Sequence, residues 1–261
     1  MRNTFLLLLW ACLTLAFPQF MVARAGEGYS FMVRNSSPLA LSVIKDGKER
    51  SVLIPPNVTI ETEGIYVDVS LDDIDGDGSD EIIMTHKAEG GVNSCSKVYR
   101  YDPSGNSIME INFFGADLCN YRKEEGYLIS KYRDGSAWVE DIYKVDANSA
   151  RLIFTDSCLE CGSILRKEYK SKGGLKEYLV FDRERLSDRK PMFFQVISRR
   201  AEIFETPDLS RPSTKYLVRG DKILVTEISI VDGSAWVKFI FCGKVTSRGW
   251  LKCSDLISCT P

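Results

Sequence analysis

Ile65-Tyr66-Val67-Asp68-Val69-Ser70-Leu71-Asp72-Asp73-Ile74-Asp75-Gly76-Asp77-Gly78-Ser79-Asp80-Glu81-Ile82-Ile83-Met84-Thr85 joins two apolar, β-branched runs through a segment crowded with acids. Between Asp68 and Glu81 there are seven carboxylates and no base. Such a cluster repels itself unless it is well solvated or takes a cation. Its spacing favours the cation. Counting from Asp73, carboxylate oxygens fall at positions 1, 3, 5 and 9 (Asp73, Asp75, Asp77, Glu81), the Ser79 carbonyl at 7, and Gly78 at the sharp turn of position 6. Hard oxygen ligands without a neighbouring nitrogen or sulfur suit Ca2+ better than zinc. The flanks exclude an EF-hand, which needs helices on both sides and a bidentate glutamate at position 12, where this chain has Met84. Extended flanks make this a loop between strands. The plainer alternative is an acidic surface turn that binds nothing.

Outward from the loop, short alternating apolar runs recur at Tyr29–Val33, Leu39–Ile44, Val58–Ile60, Lys97–Tyr101, Ile108–Phe114, Tyr127–Tyr132, Ala137–Val145, Arg151–Thr155 and Leu179–Phe181. Turn clusters such as Asp46-Gly47, Asp102-Pro103-Ser104-Gly105-Asn106 and Asp134-Gly135 separate them. The rhythm is all-β, with no long amphipathic helix. Residues 1–25 differ in kind. Arg2, an uncharged apolar run from Phe5 to Phe17, and Ala23-Arg24-Ala25 have the form of a secretory signal peptide, too short in its apolar part for a comfortable membrane span. The mature chain is then expected to start near Gly26 and to reside in the periplasm or outside the cell.

The whole chain has 34 basic and 36 acidic residues, eight cysteines and one histidine. A general nucleic-acid binder would show a basic excess. With His86 as the single histidine, a multi-histidine zinc site is excluded and a Ser-His-Asp triad would have to use that residue. Without Arg2, Arg24 and Cys12 the mature chain has 32 bases and seven cysteines, so up to three disulfides and one spare thiol are expected. Cys95 with Cys119, and a pair among Cys242, Cys253 and Cys259, are candidate pairings.

The D-[LI]-[DN]-G-D-G-x-x-D character of the loop, followed by an apolar strand, resembles the FG-GAP repeat of integrin-like β-propellers, with Glu81 where that family usually has Asp. With Val98-Tyr99-Arg100-Tyr101-Asp102-Pro103, Ile142-Tyr143-Lys144-Val145 and Arg151-Leu152-Ile153, the region from Asp68 to Arg185 looks like a family of small exported bacterial β-propeller-like proteins, some of them immunity proteins. That resemblance implies a propeller-like domain over 26–190 and a partner of a particular kind: a peptidoglycan-hydrolase toxin whose cleft is blocked by a loop. No inhibitory residue carries over by position. Further on, Ala201-Glu202-Ile203-Phe204, Tyr216-Leu217-Val218-Arg219-Gly220-Asp221, Trp236-Val237-Lys238-Phe239 and Gly249-Trp250-Leu251-Lys252 look like a bacterial SH3-like barrel, placed at 198–258. Such modules contact cell-wall peptide or a partner protein, or act as spacers.

Three features remain. The hexapeptide Asp-Gly-Ser-Ala-Trp-Val occurs at 134–139 and 232–237, read as two hairpins using the same turn. Cys158-Leu159-Glu160-Cys161 invites a thiol-disulfide reading, but that chemistry wants a helix N-terminus, for which a short helix over Ile164 to Gly174 would have to serve; an all-β setting favours a structural disulfide. Arg166 to Lys176 holds five bases around a glycine turn, so Lys170 and Lys172 are candidate partner-binding residues for a carboxylate-lined cleft, set against an ordinary solvated hairpin. Acid–base use of Asp72, Asp73 and Glu81 is explained better by the calcium register. The expectation is a non-enzymatic exported binder that blocks a cell-wall-degrading toxin. The competing classes are a cell-envelope or peptidoglycan-binding adhesion module and a periplasmic thiol-disulfide protein.

Overall fold

The computed structural model describes residues 20–24, 28–34, 39–58, 66–86, 91–113, 117–146, 149–210, 212–257 and 259. They form four antiparallel sheets laid down in chain order. The first holds β1 (Phe20–Arg24), β2 (Ser30–Arg34), β3 (Ala40–Lys45) and β4 (Lys48–Ser51). The second holds β5 (Tyr66–Asp72), β6 (Glu81–His86), β7 (Cys95–Asp102) and β8 (Ser107–Glu110), with β9 (Leu118–Cys119) also paired to β7. The third is a meander of β10 (Arg122–Glu124), β11 (Tyr127–Asp134), β12 (Ala137–Asp146), β13 (Ser149–Leu159), β14 (Ser163–Tyr169) and β15 (Leu175–Phe181).

The fourth contains β16 (Phe193–Gln195), β17 (Arg200–Phe204), β18 (Pro212–Val218), β19 (Lys222–Val231), β20 (Ser234–Cys242) and β21 (Thr246–Lys252). Its hydrogen-bonded order is β16-β19-β20-β21-β17-β18, with β16 and β18 at its two ends and Gln195 at the end of β16 accepting from Ile257 N–H. The ladder is therefore not closed into a barrel. The expected strands at 29–33, 39–44, 97–101 and 127–132 correspond to β2, β3, β7 and β11; of the run Val58–Ile60, Val58 instead closes a helical turn by donating its N–H to the Pro55 carbonyl, and residues 59 and 60 lie outside the described residues. Two differences stand out. Phe20–Arg24, inside the expected leader, forms β1 on the edge of the first sheet. The segment after Cys161 is strand β14, not a helix, because Ile164 and Arg166 point inward with the period of two that a half-buried strand needs.

Packing explains why β6 reads as a continuous apolar run rather than an alternation. Ile82 and Met84 face the first sheet, where they join Phe31, Val33, Leu41, Val43, Tyr99 and Tyr101. Ile83 faces the other way and joins Val98, Leu118, Leu128, Tyr143 and Val145 of the second and third sheets. A strand covered on both faces has no polar side to alternate with. The third sheet is covered on its far face by Leu186, packed on Ile129 and Ile142. Its last strand merges with the fourth sheet: Leu179 packs among Met192, Phe194, Val225 and Phe239, and Leu224 packs with Ile164, Tyr178 and Val180.

The repeated hexapeptide closes two hairpins in different registers. At the first, Asp134 pairs with Ala137 across Gly135-Ser136, with Gly135 at φ +58°. At the second, Val231 pairs with Ser234 across Asp232 and Gly233, at φ +50° and +74°. The same six residues serve a glycine-first turn in one place and a turn with two positive φ values in the other. Disulfides join Cys95 to Cys119, Cys158 to Cys161 and Cys253 to Cys259. Among the described residues Cys242 is the free thiol, and it is exposed.

Candidate metal centre

The acidic loop hangs between β5 and β6, whose last register pair is Asp72 with Glu81. Ile74 anchors it by entering the core between the second and third sheets. The Asp73 carboxylate then organises the turn from inside. Its Oδ1 accepts the backbone N–H groups of Gly76 (2.8 Å) and Asp77 (3.1 Å), and its Oδ2 that of Gly78 (3.0 Å). Asp75 Oδ1 accepts from Asp77 N–H, and Asp77 Oδ1 from Ser79 N–H at 2.7 Å. Gly78, at φ +88°, takes the conformation that position 6 of a calcium loop requires.

Carboxylate oxygens of Asp73, Asp75 and Glu81 lie within 4.8 Å of one another. These three of the five expected ligands come together. Asp77 is not a member of that carboxylate cluster, and Ser79 is placed by its backbone bond to Asp77. An all-oxygen donor set of three carboxylates fits a hard divalent cation.

Arg100 is the residue that sequence reasoning missed. From β7 it reaches across to donate Nε (3.0 Å) and Nη2 (2.8 Å) to Glu81 Oε1, and Nη2 (2.5 Å) to Asp75 Oδ2. Glu81 is fully buried, and its Oε2 accepts Ile74 N–H at 3.0 Å. Burial lifts the Glu81 carboxyl to about 7, against the opposing pull of Arg100 and the Ile74 amide. Burial would also weaken the Arg100 charge, but Glu81 and Asp75 outweigh it and hold the guanidinium protonated. Asp72 is met separately: Lys123 Nζ donates to its Oδ1 (2.5 Å) and Tyr121 O–H to its Oδ2 (3.1 Å). Lys123 and Tyr121 come from or beside β10, so the loop is tied to the third sheet as well as the second. Two of the three clustered carboxylates thus already hold an internal cation. A metal ion would share them with Arg100 or displace it.

A second charged cluster crosses the third sheet. Arg189, with its side chain 2% exposed, donates Nη1 to Glu140 Oε2 (2.7 Å) and Asp156 Oδ2 (2.9 Å). Arg166 grips Asp156 through two bonds of 2.6 Å, and Arg122 grips Glu140 at 2.7 and 3.1 Å. These bidentate pairs are the geometry in which guanidinium meets carboxylate best. Burial would raise the Glu140 carboxyl, but Arg122 and Arg189 prevail and hold it below its ordinary value. Arg122, Glu140 and Arg189 floor an open cleft of about 890 Å³.

Lys170 and Lys172 lie on the exposed tip between β14 and β15. The tip is tight: Lys170 N–H donates to the Gly174 carbonyl and Gly173 N–H to the Lys170 carbonyl. Lys170, Tyr169 and Arg151 line a cleft of about 490 Å³. His86 Nε2 lies 3.2 Å from Asp117 Oδ2 at the end of β6. Cys158 and Cys161 close the β13–β14 turn, with no helix N-terminus at either sulfur. No described helix is long and apolar enough to cross a membrane.

No protein-family model and no curated protein matches the chain. Among solved structures, a similar one is that of a Xanthomonas type IV secretion system related protein, 18% identical, with a TM-score of 0.36 over 65% of this chain and 92% of that one.

Proposed function

We propose that the chain is exported to the periplasm with removal of residues 1–25, and that it acts there as a non-enzymatic inhibitor of a cell-wall-degrading hydrolase. In this reading the first three sheets form a propeller-like body and the fourth an SH3-like module. The observation that carries the proposal is the basic tip at Lys170 and Lys172. It is exposed, yet held by two backbone hydrogen bonds on a sheet packed on both faces. A rigid cationic projection suits the carboxylate-lined cleft of a glycan hydrolase, and charge complementarity speeds the encounter. Of the four buried carboxylates among the described residues, Glu81, Glu140 and Asp156 are each engaged by arginine and Asp141 accepts from the Tyr132 and Thr155 hydroxyls, which fits a scaffold better than an acid–base pair. Ca2+ held by Asp73, Asp75 and Glu81 would staple the loop, and extracellular modules need only weak affinity for that.

The test is binding of the mature protein to purified exported peptidoglycan hydrolases by calorimetry, with inhibition of lysis of purified sacculi. Lys170→Glu with Lys172→Glu should weaken binding at least tenfold. Unchanged affinity removes the tip, and sedimentation of the protein with sacculi alone would favour the wall-binding alternative.

A further inference from the structure

β1 occupies one edge of the first sheet and β4 the other. The two edges are built differently. β4 reads Lys48-Glu49-Arg50-Ser51 and all four residues are exposed, the charged form that discourages another strand from pairing. β2, which β1 covers, reads Ser30-Phe31-Met32-Val33-Arg34. β1 pairs with it along its whole length, from Phe20 opposite Arg34 to Arg24 opposite Ser30. Met21 of β1 packs against the core cluster that contains Phe31 and Val33.

The geometry points to a site for a second copy of this chain on β2, an inference that rests on the proposed cleavage after Ala25. Cleavage there removes β1 entirely. Only four residues then precede β2, too few to fold back and replace a five-residue strand. The edge left bare is apolar and without a guarding charge at its centre, which is the kind of edge that pairs.

The occupant follows from the register. In an antiparallel pair of β2 strands centred on Met32, Phe31 lies opposite the copy's Val33, and Val33 opposite its Phe31. Apolar positions on the core face therefore continue from one protomer to the next, as Met21 of β1 continues them within the chain. Arg34 lies opposite the copy's Ser30, so no like charges face each other. Its guanidinium is met by Glu49 of its own protomer at 3.2 Å. A two-fold axis through Met32 makes the contact self-complementary and closed. Two five-residue strands bury less than a standard interface, so the dimer should be weak.

The exported protein, its N-terminus fixed by intact mass, is compared by light scattering and sedimentation equilibrium with unprocessed full-length chain made in the cytosol. The processed protein should move towards twice its monomer mass as its concentration is raised, while the unprocessed chain stays monomeric. Met32→Lys should return the processed protein to monomer, and so should Met32→Glu, each with an unchanged melting temperature. Mixing the two should restore dimers. A processed protein monomeric throughout, or Met32→Lys still dimeric, overturns the inference. An exported protein that retains residues 20–25 overturns it differently: the cleavage reading fails and the edge stays closed.

Discussion

Arg100 on β7 donates two hydrogen bonds to one oxygen of Glu81, at 3.0 and 2.8 Å, inside the acidic loop. The chain thereby supplies its own cation to a cluster whose spacing suits an external one. This gives a sharp expectation for Arg100→Met. Removing one partner of a buried ion pair costs about 3 kcal/mol. The loss should be largest in chelator and partly recovered in millimolar Ca2+, since the metal would then face two more available carboxylates. Urea unfolding with and without Ca2+ measures both effects, and a variant indifferent to Ca2+ would count against the metal centre.

Glu140 predicts a pH dependence. Its folded carboxyl lies below the ordinary 4.5, so its contribution to stability is complete above that value and disappears as pH falls through the lower folded value. Glu140→Gln should be less stable than the parent at neutral pH, and the gap should narrow in acid. The comparison isolates Glu140 from Glu81, whose raised value acts in the opposite sense. Chemical-denaturation midpoints from about pH 3 to 7 provide the check.

Glycines at two positions should differ in cost for different reasons. At Gly78 a Cβ would meet nothing within 4 Å, so Gly78→Ala pays only for its left-handed backbone, about 1 kcal/mol. At Gly249 a Cβ would lie 2.5 Å from Ile203 Cγ2 and 2.8 Å from the Phe204 carbonyl oxygen. Gly249→Ala should cost about 3 kcal/mol, because one contact is with backbone that cannot turn aside. Thermal melts of both variants test the order.

The disulfides rank by the length of chain they close. Cys95–Cys119 spans 24 residues in sequence and Cys158–Cys161 spans 3. The entropic model gives about 3.5 and 1.6 kcal/mol respectively. Paired substitution to alanine should lower stability in that order. Purified protein should not accelerate insulin reduction, since the Cys158–Cys161 turn offers no helix dipole to activate a thiolate.

Much of the second sheet is legible in the sequence. Extended flanks, Gly78 at the turn and the strand run Ile82-Ile83-Met84 all follow from local chemistry, whereas the Cys95–Cys119 bond is one candidate pairing that only the register of β7 against β9 decides. Arg100 was not legible, because its role depends on which strand lies beside β6, and register is a long-range property. The same holds for Arg189, which belongs to no regular strand yet reaches Glu140 and Asp156 across 49 and 33 residues of sequence. The hexapeptide makes the limit plain: six identical residues adopt two pairings, so flanking strands decide the turn. Ile164 to Gly174 stays open between a short helix and a hairpin, because a basic run ending in glycines suits a helix stop and a hairpin tip equally.

The seam between the third and fourth sheets bears on how the molecule melts. Met192 donates its backbone N–H to Leu179 while its own carbonyl accepts from Val225, so one residue stitches β15 to β19. With Leu179 packed among the fourth sheet's apolar residues and Leu224 among the third's, neither side can loosen without uncovering the other. The two sheets should therefore give a single cooperative transition in calorimetry, and a chain cut at residue 190 should expose Leu179 and aggregate rather than survive as an independent folding unit.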